Sequence, residues 1–168
     1  MLFNSVHFLL FFPIVVGLYF LVPAQRRWLV LLLSSFYFYM VWRPVFVLLI
    51  LLTVSIDYGV ARLLVQTDDQ RKRKRYLAAS ITANMSILAY FKYTNFALDS
   101  VRDLASALDY PLSVPVLDVV LPIGISFHTF QSVGYAIDVY RGLLKPELRF
   151  PRFALFVMFF PQLVAGPI

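Results

Sequence analysis

The sequence contains no cysteine among its 168 residues, and it has only two histidines. Without cysteine the chain can form neither a disulfide nor a thiolate metal site. The histidines, His7 and His128, lie far apart, and neither has a second ligand at metal-binding spacing, so no metal site is predicted. A glycine-rich phosphate loop and a Gly-x-Ser-x-Gly motif are also absent, which removes the usual signatures of soluble enzymes.

Charged residues are scarce as well. They make up 14% of the chain, against about 25% in an average soluble domain. Hydrophobic residues make up 61%, and the mean hydropathy is +0.78. Such a chain cannot cover itself with polar surface in water, so lipid is the predicted solvent. Because backbone groups in lipid must be bonded inside the protein, the predicted structure is helical.

Apolar segments separated by proline and basic residues predict one all-α domain, a polytopic transmembrane helical bundle. We expect about five complete spans, a broken sixth and one interfacial amphipathic helix. No Lys or Arg precedes the first span, so it does not look like a secretory signal and is expected to be retained. The expected spans are residues 7–22, 28–42, 44–65, 76–93, 121–142 and, in part, 150–168, and the interfacial helix covers residues 95–108.

The basic residues test this arrangement. If the loops after the first, third and fifth spans share one side, that side collects twelve of the fifteen Lys and Arg residues. The positive-inside rule then places this side in the cytoplasm and the N-terminus outside. The basic residues on the predicted cytoplasmic side are Arg26, Arg27, Arg62, Arg71, Lys72, Arg73, Lys74, Arg75, Arg141, Lys145, Arg149 and Arg152.

The fifth span, which reads LPIGISFHTFQSVGYAIDVYRG, is the most informative for function. Four polar residues recur in it at spacings of three and four, which places them on one stripe of a helix. A lipid-facing helix would not carry an imidazole, an amide and a carboxylate, so the stripe must face protein or a wet cavity. The stripe, with a glycine at each end, consists of Gly124, His128, Gln131, Tyr135, Asp138 and Gly142.

Each polar residue has a structural interpretation beside a functional one. His128 is either a buried histidine bonded to Gln131 or to a neighbouring helix, or a group that lines a substrate tunnel. Asp138 can form a structural ion pair with Arg141, which lies three residues further along the helix. Asp57, in the third span, can form an interhelical hydrogen bond or reach towards the membrane interface.

Five consecutive basic residues follow the third span. Such a run is typical of a topology anchor that contacts anionic lipid headgroups, and the lipid bilayer is therefore an expected partner. Nucleic-acid binding is the weaker alternative, and nucleic acid is not an expected partner. The run consists of Arg71, Lys72, Arg73, Lys74 and Arg75.

The sixth segment ends in FFPQLVAGPI, residues 159–168. Proline inside a membrane segment frees backbone carbonyl groups, which protein or water must then satisfy, so a broken helix at this depth usually lines a cavity. Pro161, Gly166 and Pro167 together predict a segment that turns inside the protein. We take Pro161 and Gln162 as further candidates for a tunnel wall.

Three segments together resemble the membrane-bound O-acyltransferase family, in its alginate O-acetyltransferase branch. They are YFKYTNF at residues 90–96, the fifth span, and FFPQLVAGPI. Residues 1–17 resemble that branch too. The order and spacing of these segments extend the resemblance over nearly the whole chain. At the position of His128, many relatives would have an aromatic residue, so the family assigns no role to this histidine.

The resemblance implies a multi-pass enzyme of the bacterial inner membrane that passes an acyl group, such as acetyl from acetyl-CoA, to hydroxyls of an exported polysaccharide. It implies no bound cofactor. Its catalytic histidine would lie beyond Ile168, so this chain is expected to be an N-terminal portion that is inactive alone. Expected partners are the remaining C-terminal helices and periplasmic polysaccharide-acetylation proteins. A transporter or flippase fragment and a non-catalytic scaffold remain alternatives.

Overall fold

A computed structural model describes residues 5–41, 43–108 and 124–165, with side chains up to residue 162 in the last range. Every regular element in these ranges is helical, so the all-α prediction is confirmed. A short 3₁₀ turn, Ala24–Arg26, joins the first two helices. The helices are α1 Val6–Leu21, α2 Arg27–Met40, α3 Pro44–Gln66, α4 Gln70–Ala107, α5 Ile125–Arg141, α6 Phe150–Met158 and α7 Phe160–Ala165.

Local capping chemistry sets several helix ends. The Ser5 hydroxyl accepts a hydrogen bond from the backbone N–H of Phe8, and the Asp69 carboxylate accepts from the N–H of Arg71, so each caps a helix N-terminus. Pro44 occupies the first turn of α3, where its missing N–H would have had no helical partner. Gly142 ends α5 at φ 75°, a left-handed conformation that glycine adopts without steric cost.

Two groups of helices pack along α3. α2 and α6 share an apolar core mainly with its N-terminal half, through side chains such as Ile50 and Phe153. α4 and α5 contact each other and the C-terminal half of α3. α1 packs on α2 through a smaller aromatic cluster, which contains Phe11 and Phe38 and also includes Phe160 of α7. α3 is therefore the central helix of the described part of the chain.

One helix replaces two predicted ones. The basic run was expected in a loop, followed by a span at 76–93 and a separate interfacial helix at 95–108, but α4 is continuous over 38 residues. At 1.5 Å per residue it is about 57 Å long. No proline or glycine occurs inside it, and Asp69 caps it before the basic run, so nothing in the local sequence ends the helix at Thr94.

The two glycines of the predicted stripe lie outside the helix that carries it. α5 begins at Ile125, after Gly124 in a left-handed conformation, and ends before Gly142. Residues 121–123 of the predicted fifth span lie outside the described residues. The sixth segment is interrupted as expected, but the break is at Phe159, two residues before Pro161. The expected turn at Gly166 and Pro167 lies outside the described residues.

Length and hydropathy qualify one helix of the described part as a candidate membrane span. This helix is α3, with 23 residues and a mean hydropathy of 2.1 over its most apolar window. α1 is apolar but has only 16 residues, and α2 and α5 have 14 and 17. A helix of about 20 residues is needed to cross a bilayer. The predicted bundle of five complete spans and a broken sixth therefore stays a prediction.

The continuity of α4 can be tested by distance measurement. Spin labels at Lys74→Cys and Asp103→Cys, in a chain that has no native cysteine, should give a narrow distribution near 44 Å if one straight helix joins them. Double electron–electron resonance in detergent micelles measures this distance. A control pair at Lys74→Cys and Ala89→Cys should give about 22 Å. A broad distribution centred well below 44 Å for the first pair would support two separate helices.

Candidate functional site

A fully buried carboxylate joins α3, α4 and α5. Asp57, in α3, has no solvent exposure. Its Oδ1 atom accepts hydrogen bonds from Ser80 Oγ at 2.5 Å and from Asn84 Nδ2 at 2.8 Å, both in α4. Its Oδ2 atom accepts from Ser132 Oγ of α5. Of the two interpretations of Asp57, the interhelical hydrogen bond is the one observed, and it involves two neighbouring helices.

The partners of Asp57 were less visible in the sequence than Asp57 itself. Asn84 is an amide within the apolar segment 76–93, whereas serines such as Ser80 and Ser132 are small and draw little notice in such a segment. Ser80 lies one turn before Asn84, and Ser132 lies one turn after His128, so both belong to buried helix faces. A sequence can still indicate such partners through small polar residues that recur at one-turn spacing in an apolar helix. These residues let helices approach closely and form interhelical hydrogen bonds.

His128 is buried at the start of α5, with no exposed surface. Its Nδ1 atom lies 3.2 Å from the carbonyl oxygen of Gly124, which can only accept, so Nδ1 carries the proton. Nε2 is then a buried acceptor, and among the described residues it has no hydrogen-bond partner. The neighbouring Thr129 Oγ1 is buried and unpartnered in the same sense. Among the described residues, neither Gln131 nor a neighbouring helix bonds to the imidazole, whose hydrogen bond lies within its own first turn.

Gln131 contacts the interruption between α6 and α7. Its Nε2 atom donates to the carbonyl of Phe156 at 3.0 Å. In an unbroken helix that carbonyl would accept from the N–H of Phe160. Here the Phe160 N–H instead donates to Ser35 Oγ of α2 at 3.3 Å. Side chains from two neighbouring helices thus satisfy these two backbone groups, in agreement with the expected need for protein partners.

Tyr135 belongs to a different environment, at the C-terminal end of α5. Its hydroxyl accepts a hydrogen bond from the backbone N–H of Glu147 at 2.8 Å. Its ring packs on Phe153, with 4.6 Å between centroids, and on Phe156. These rings form one wall of a cavity of about 610 Å³, which the loop between α5 and α6 completes.

The predicted ion pair of Asp138 with Arg141 is wrong. In the described part of the chain the ion pair joins Arg102 to Asp99, at 2.8 Å. Arg141 is the last residue of α5 and is exposed, so its side chain extends into solvent where the chain turns at Gly142. The carbonyl of Asp138 accepts from the N–H of Leu143 at 2.9 Å, which closes the end of the helix.

One residue of the basic run contacts α5, and the others lie at the surface. Arg73 Nη2 donates to the carbonyl of Tyr140 at 2.8 Å, and its guanidinium lies 5.6 Å from the Tyr140 ring centroid. The carbonyl end of α5 attracts this cation. Arg71, Lys74 and Arg75 line a separate surface pocket of about 360 Å³. Arg73 therefore attaches α4 to α5, while the other cations stay available at the surface.

The remaining candidates, Pro161 and Gln162, lie in the first turn of α7 and are half-buried. The N–H of Gln162 donates to the carbonyl of Phe159 at 3.1 Å. Among the described residues, no group of His, Asp and Glu side chains is placed to hold a metal ion. Among the candidates, Gln131 lies at the helix break and Tyr135 lines the open cavity. The buried junction of Asp57 contains none of the candidates, although Ser132 of α5 belongs to it.

The chain is similar along its whole length to polysaccharide O-acetyltransferases. It is 39% identical over 170 residues to the probable alginate O-acetylase AlgI of Pseudomonas aeruginosa and to that of Azotobacter vinelandii, of which it covers 32% and 34%. It is 31% identical over 200 residues to the peptidoglycan O-acetyltransferase of Helicobacter pylori, of which it covers 37%. The chain spans about a third of the length of these relatives.

No family model and no solved structure matches the chain. The relatives nevertheless confirm the resemblance to the alginate O-acetyltransferase branch that three short segments predicted. These relatives are named as O-acetylases and O-acetyltransferases, the class of reaction that the resemblance implies.

Removal of the Asp57 carboxylate should destabilise the helix bundle strongly. Asp57→Ala leaves donors on Ser80, Asn84 and Ser132 without their acceptor, and we expect a loss on the order of 3 kcal/mol in the free energy of unfolding. Ser132→Ala removes one donor and should cost about 1 kcal/mol. Reversible unfolding followed by circular dichroism in detergent measures both.

Ser55→Ala is the matched control for the Asp57 junction, because the Ser55 hydroxyl bonds to the carbonyl of Leu51 on the exposed side of the same helix. It should change stability by less than about 0.5 kcal/mol. If Asp57→Ala is as stable as Ser55→Ala, the three-helix junction does not hold the bundle together.

Proposed function

Because the chain is homologous along its whole length to alginate and peptidoglycan O-acetyltransferases, we propose that it forms part of an enzyme that acetylates hydroxyls of an exported polysaccharide. Similarity over the whole of this chain, at 38–39% identity to alginate O-acetylases, carries this proposal. The acceptor class follows from the names of these relatives. An acetyl thioester such as acetyl-CoA is the proposed donor.

The protein would act in the bacterial inner membrane. α1 is apolar around its whole circumference, and only Phe11 and Val15 of its residues are buried. Large side chains along it, such as Leu10 and Leu21, are 64% and 81% exposed. This much apolar surface is unfavourable in water and favourable in lipid. α3 has the length and hydropathy of a span.

α4 suits a helix that extends beyond both faces of a bilayer. Its length of about 57 Å exceeds the hydrocarbon thickness of about 30 Å. The basic run lies at one end, where Arg71, Lys74 and Arg75 are free to meet anionic headgroups on the cytoplasmic side. The other end carries exposed apolar side chains such as Leu104, as expected of an interfacial segment outside.

In the proposed reaction a general base removes the proton of an acceptor hydroxyl, the oxygen attacks the acetyl carbonyl, and the thiol of the donor leaves. The relatives are about three times as long as this chain, and we assign the base to the part that they have in addition. Within this chain, α5 forms part of the wall of the substrate path. Gln131 fixes the broken helix beside that path, and Tyr135 fixes the loop at its end.

Acetyl transfer tests this role. In a chimera in which this chain replaces the matching third of the Pseudomonas aeruginosa relative, Gln131→Ala and Tyr135→Ala should each lower alginate acetylation by about tenfold, because each loses one positioning hydrogen bond. Acetyl content of the exported polymer is the measurement, and immunoblots report protein level.

Gln70→Ala and Tyr93→Ala are matched controls for these two substitutions, since both residues are exposed in α4. They should leave acetylation within about twofold of the parent chimera. Unchanged acetylation in the Gln131 and Tyr135 variants, with normal protein level, would remove α5 from the substrate path. A parent chimera without acetylation would contradict the proposed function.

The orientation of the chain is tested by cysteine labelling in intact cells. Asp103→Cys should react with a membrane-impermeant maleimide, because this end of α4 is proposed to lie outside. Lys72→Cys should react only after the membrane is permeabilised, since the basic run is proposed to lie in the cytoplasm. Labelling of both variants after denaturation controls for expression. The opposite pattern would reverse the proposed orientation.

A further inference from the structure

The cavity beside Tyr135 combines an aromatic floor with a basic rim. Phe153 and Phe156 form the floor together with the Tyr135 ring. The rim is the loop between α5 and α6 and the first turn of α6, which carry Lys145, Arg149 and Arg152. Its volume of about 610 Å³ lies within the range of about 300–1,000 Å³ that is usual for small-molecule sites.

Three side-chain hydrogen bonds hold the rim in place. The Tyr58 hydroxyl of α3 donates to the carbonyl of Leu148 at 2.6 Å. The N–H of Glu147 donates to the Tyr135 hydroxyl at 2.8 Å. The Glu147 carboxylate accepts from the N–H of Arg149 at 2.9 Å. Two helices thus fix a loop that has no regular structure of its own, so the cavity is formed before any ligand enters.

The rim has an excess of positive charge. Lys145, Arg149 and Arg152 form no ion pair with another described residue, and Glu147 provides the one negative charge that lines the cavity. The N-terminal end of α6 adds a partial positive charge at the same place. An excess of two side-chain charges over an apolar floor favours an anion that is attached to an apolar or aromatic group.

We propose that this cavity binds the phosphate groups of a ligand that also carries an apolar or aromatic portion. Arginine and lysine on the rim contact the phosphate oxygens, and the rest of the ligand packs on Phe153 and Phe156. If the proposed function holds, the acetyl donor is one source of this chemistry, because acetyl-CoA joins phosphates to an adenine ring. The headgroup of an anionic phospholipid is the other source.

Binding to the purified 168-residue chain in phosphatidylcholine nanodiscs tests the site with two probes. Isothermal titration with coenzyme A represents the soluble source. Nanodiscs that contain phosphatidylglycerol represent the lipid source. If the cavity binds this lipid, its headgroup occupies the site and coenzyme A no longer binds. Whichever of the two probes binds, the double substitution Lys145→Ala and Arg149→Ala should weaken its binding by tenfold or more. Circular dichroism verifies that each variant keeps its helix content.

Two further variants make the test specific. Glu147→Gln keeps an oxygen for the Arg149 N–H and removes the negative charge, so it should strengthen binding by several fold. A loss of fold cannot produce such a gain. Arg71→Ala combined with Lys74→Ala removes the same charge from the separate surface pocket of α4, and it should change binding by less than about twofold.

Binding of coenzyme A, or of phosphatidylglycerol in its place, that depends on Lys145 and Arg149 supports the phosphate site and identifies its source. Absence of binding by both probes, unchanged binding in the rim variant, or an equal loss in the α4 control would overturn it. The acetylation chimera separates this proposal from the proposed function. If the chimera does not acetylate but the cavity binds phosphate, the proposed function is contradicted and the phosphate site is kept.

Discussion

The buried carboxylate of Asp57 is the constraint on which the position of α4 depends. α4 buries few side chains, and those of its first half, Ser80, Asn84 and Leu88, form one stripe at four-residue spacing. Two of the three are donors to Asp57. A buried acceptor without donors would be costly in an apolar medium, and so would buried donors without an acceptor. The junction is therefore stable only when α3, α4 and α5 lie together.

A second polar requirement connects the same junction to the other half of the fold. At the interruption, Gln131 bonds to the Phe156 carbonyl and Ser35 bonds to the Phe160 N–H. An unbroken helix would pair these two backbone groups with each other. Ser132, which bonds to Asp57, is the next residue after Gln131. Adjacent residues of α5 thus bond to two different helices, α6 and α3. In this way α5 joins the Asp57 junction to the broken segment.

The sequence predicted those features that depend on local or compositional physics. The all-helical fold and the interruption near Pro161 follow from hydropathy and from the missing N–H of proline. The continuity of α4 is not apparent in the sequence because the apolar pattern changes to an amphipathic one near Thr94, although no residue there ends a helix. The partners of Asp57 could not be predicted, since they depend on which helix faces come together.

The polar residues that form one stripe of α5 in the sequence have different structural roles. Its residues share a helix face, yet His128 bonds to its own first turn, Gln131 to α6 and Tyr135 to a loop. A face that lined one open passage would keep its polar groups available to a ligand. Here most of them are already committed to backbone atoms, and the cavity beside Tyr135 takes its charge from the neighbouring loop. The stripe residues therefore mainly hold α6 and the loop in place around the cavity, and the loop supplies most of the groups that would contact a ligand.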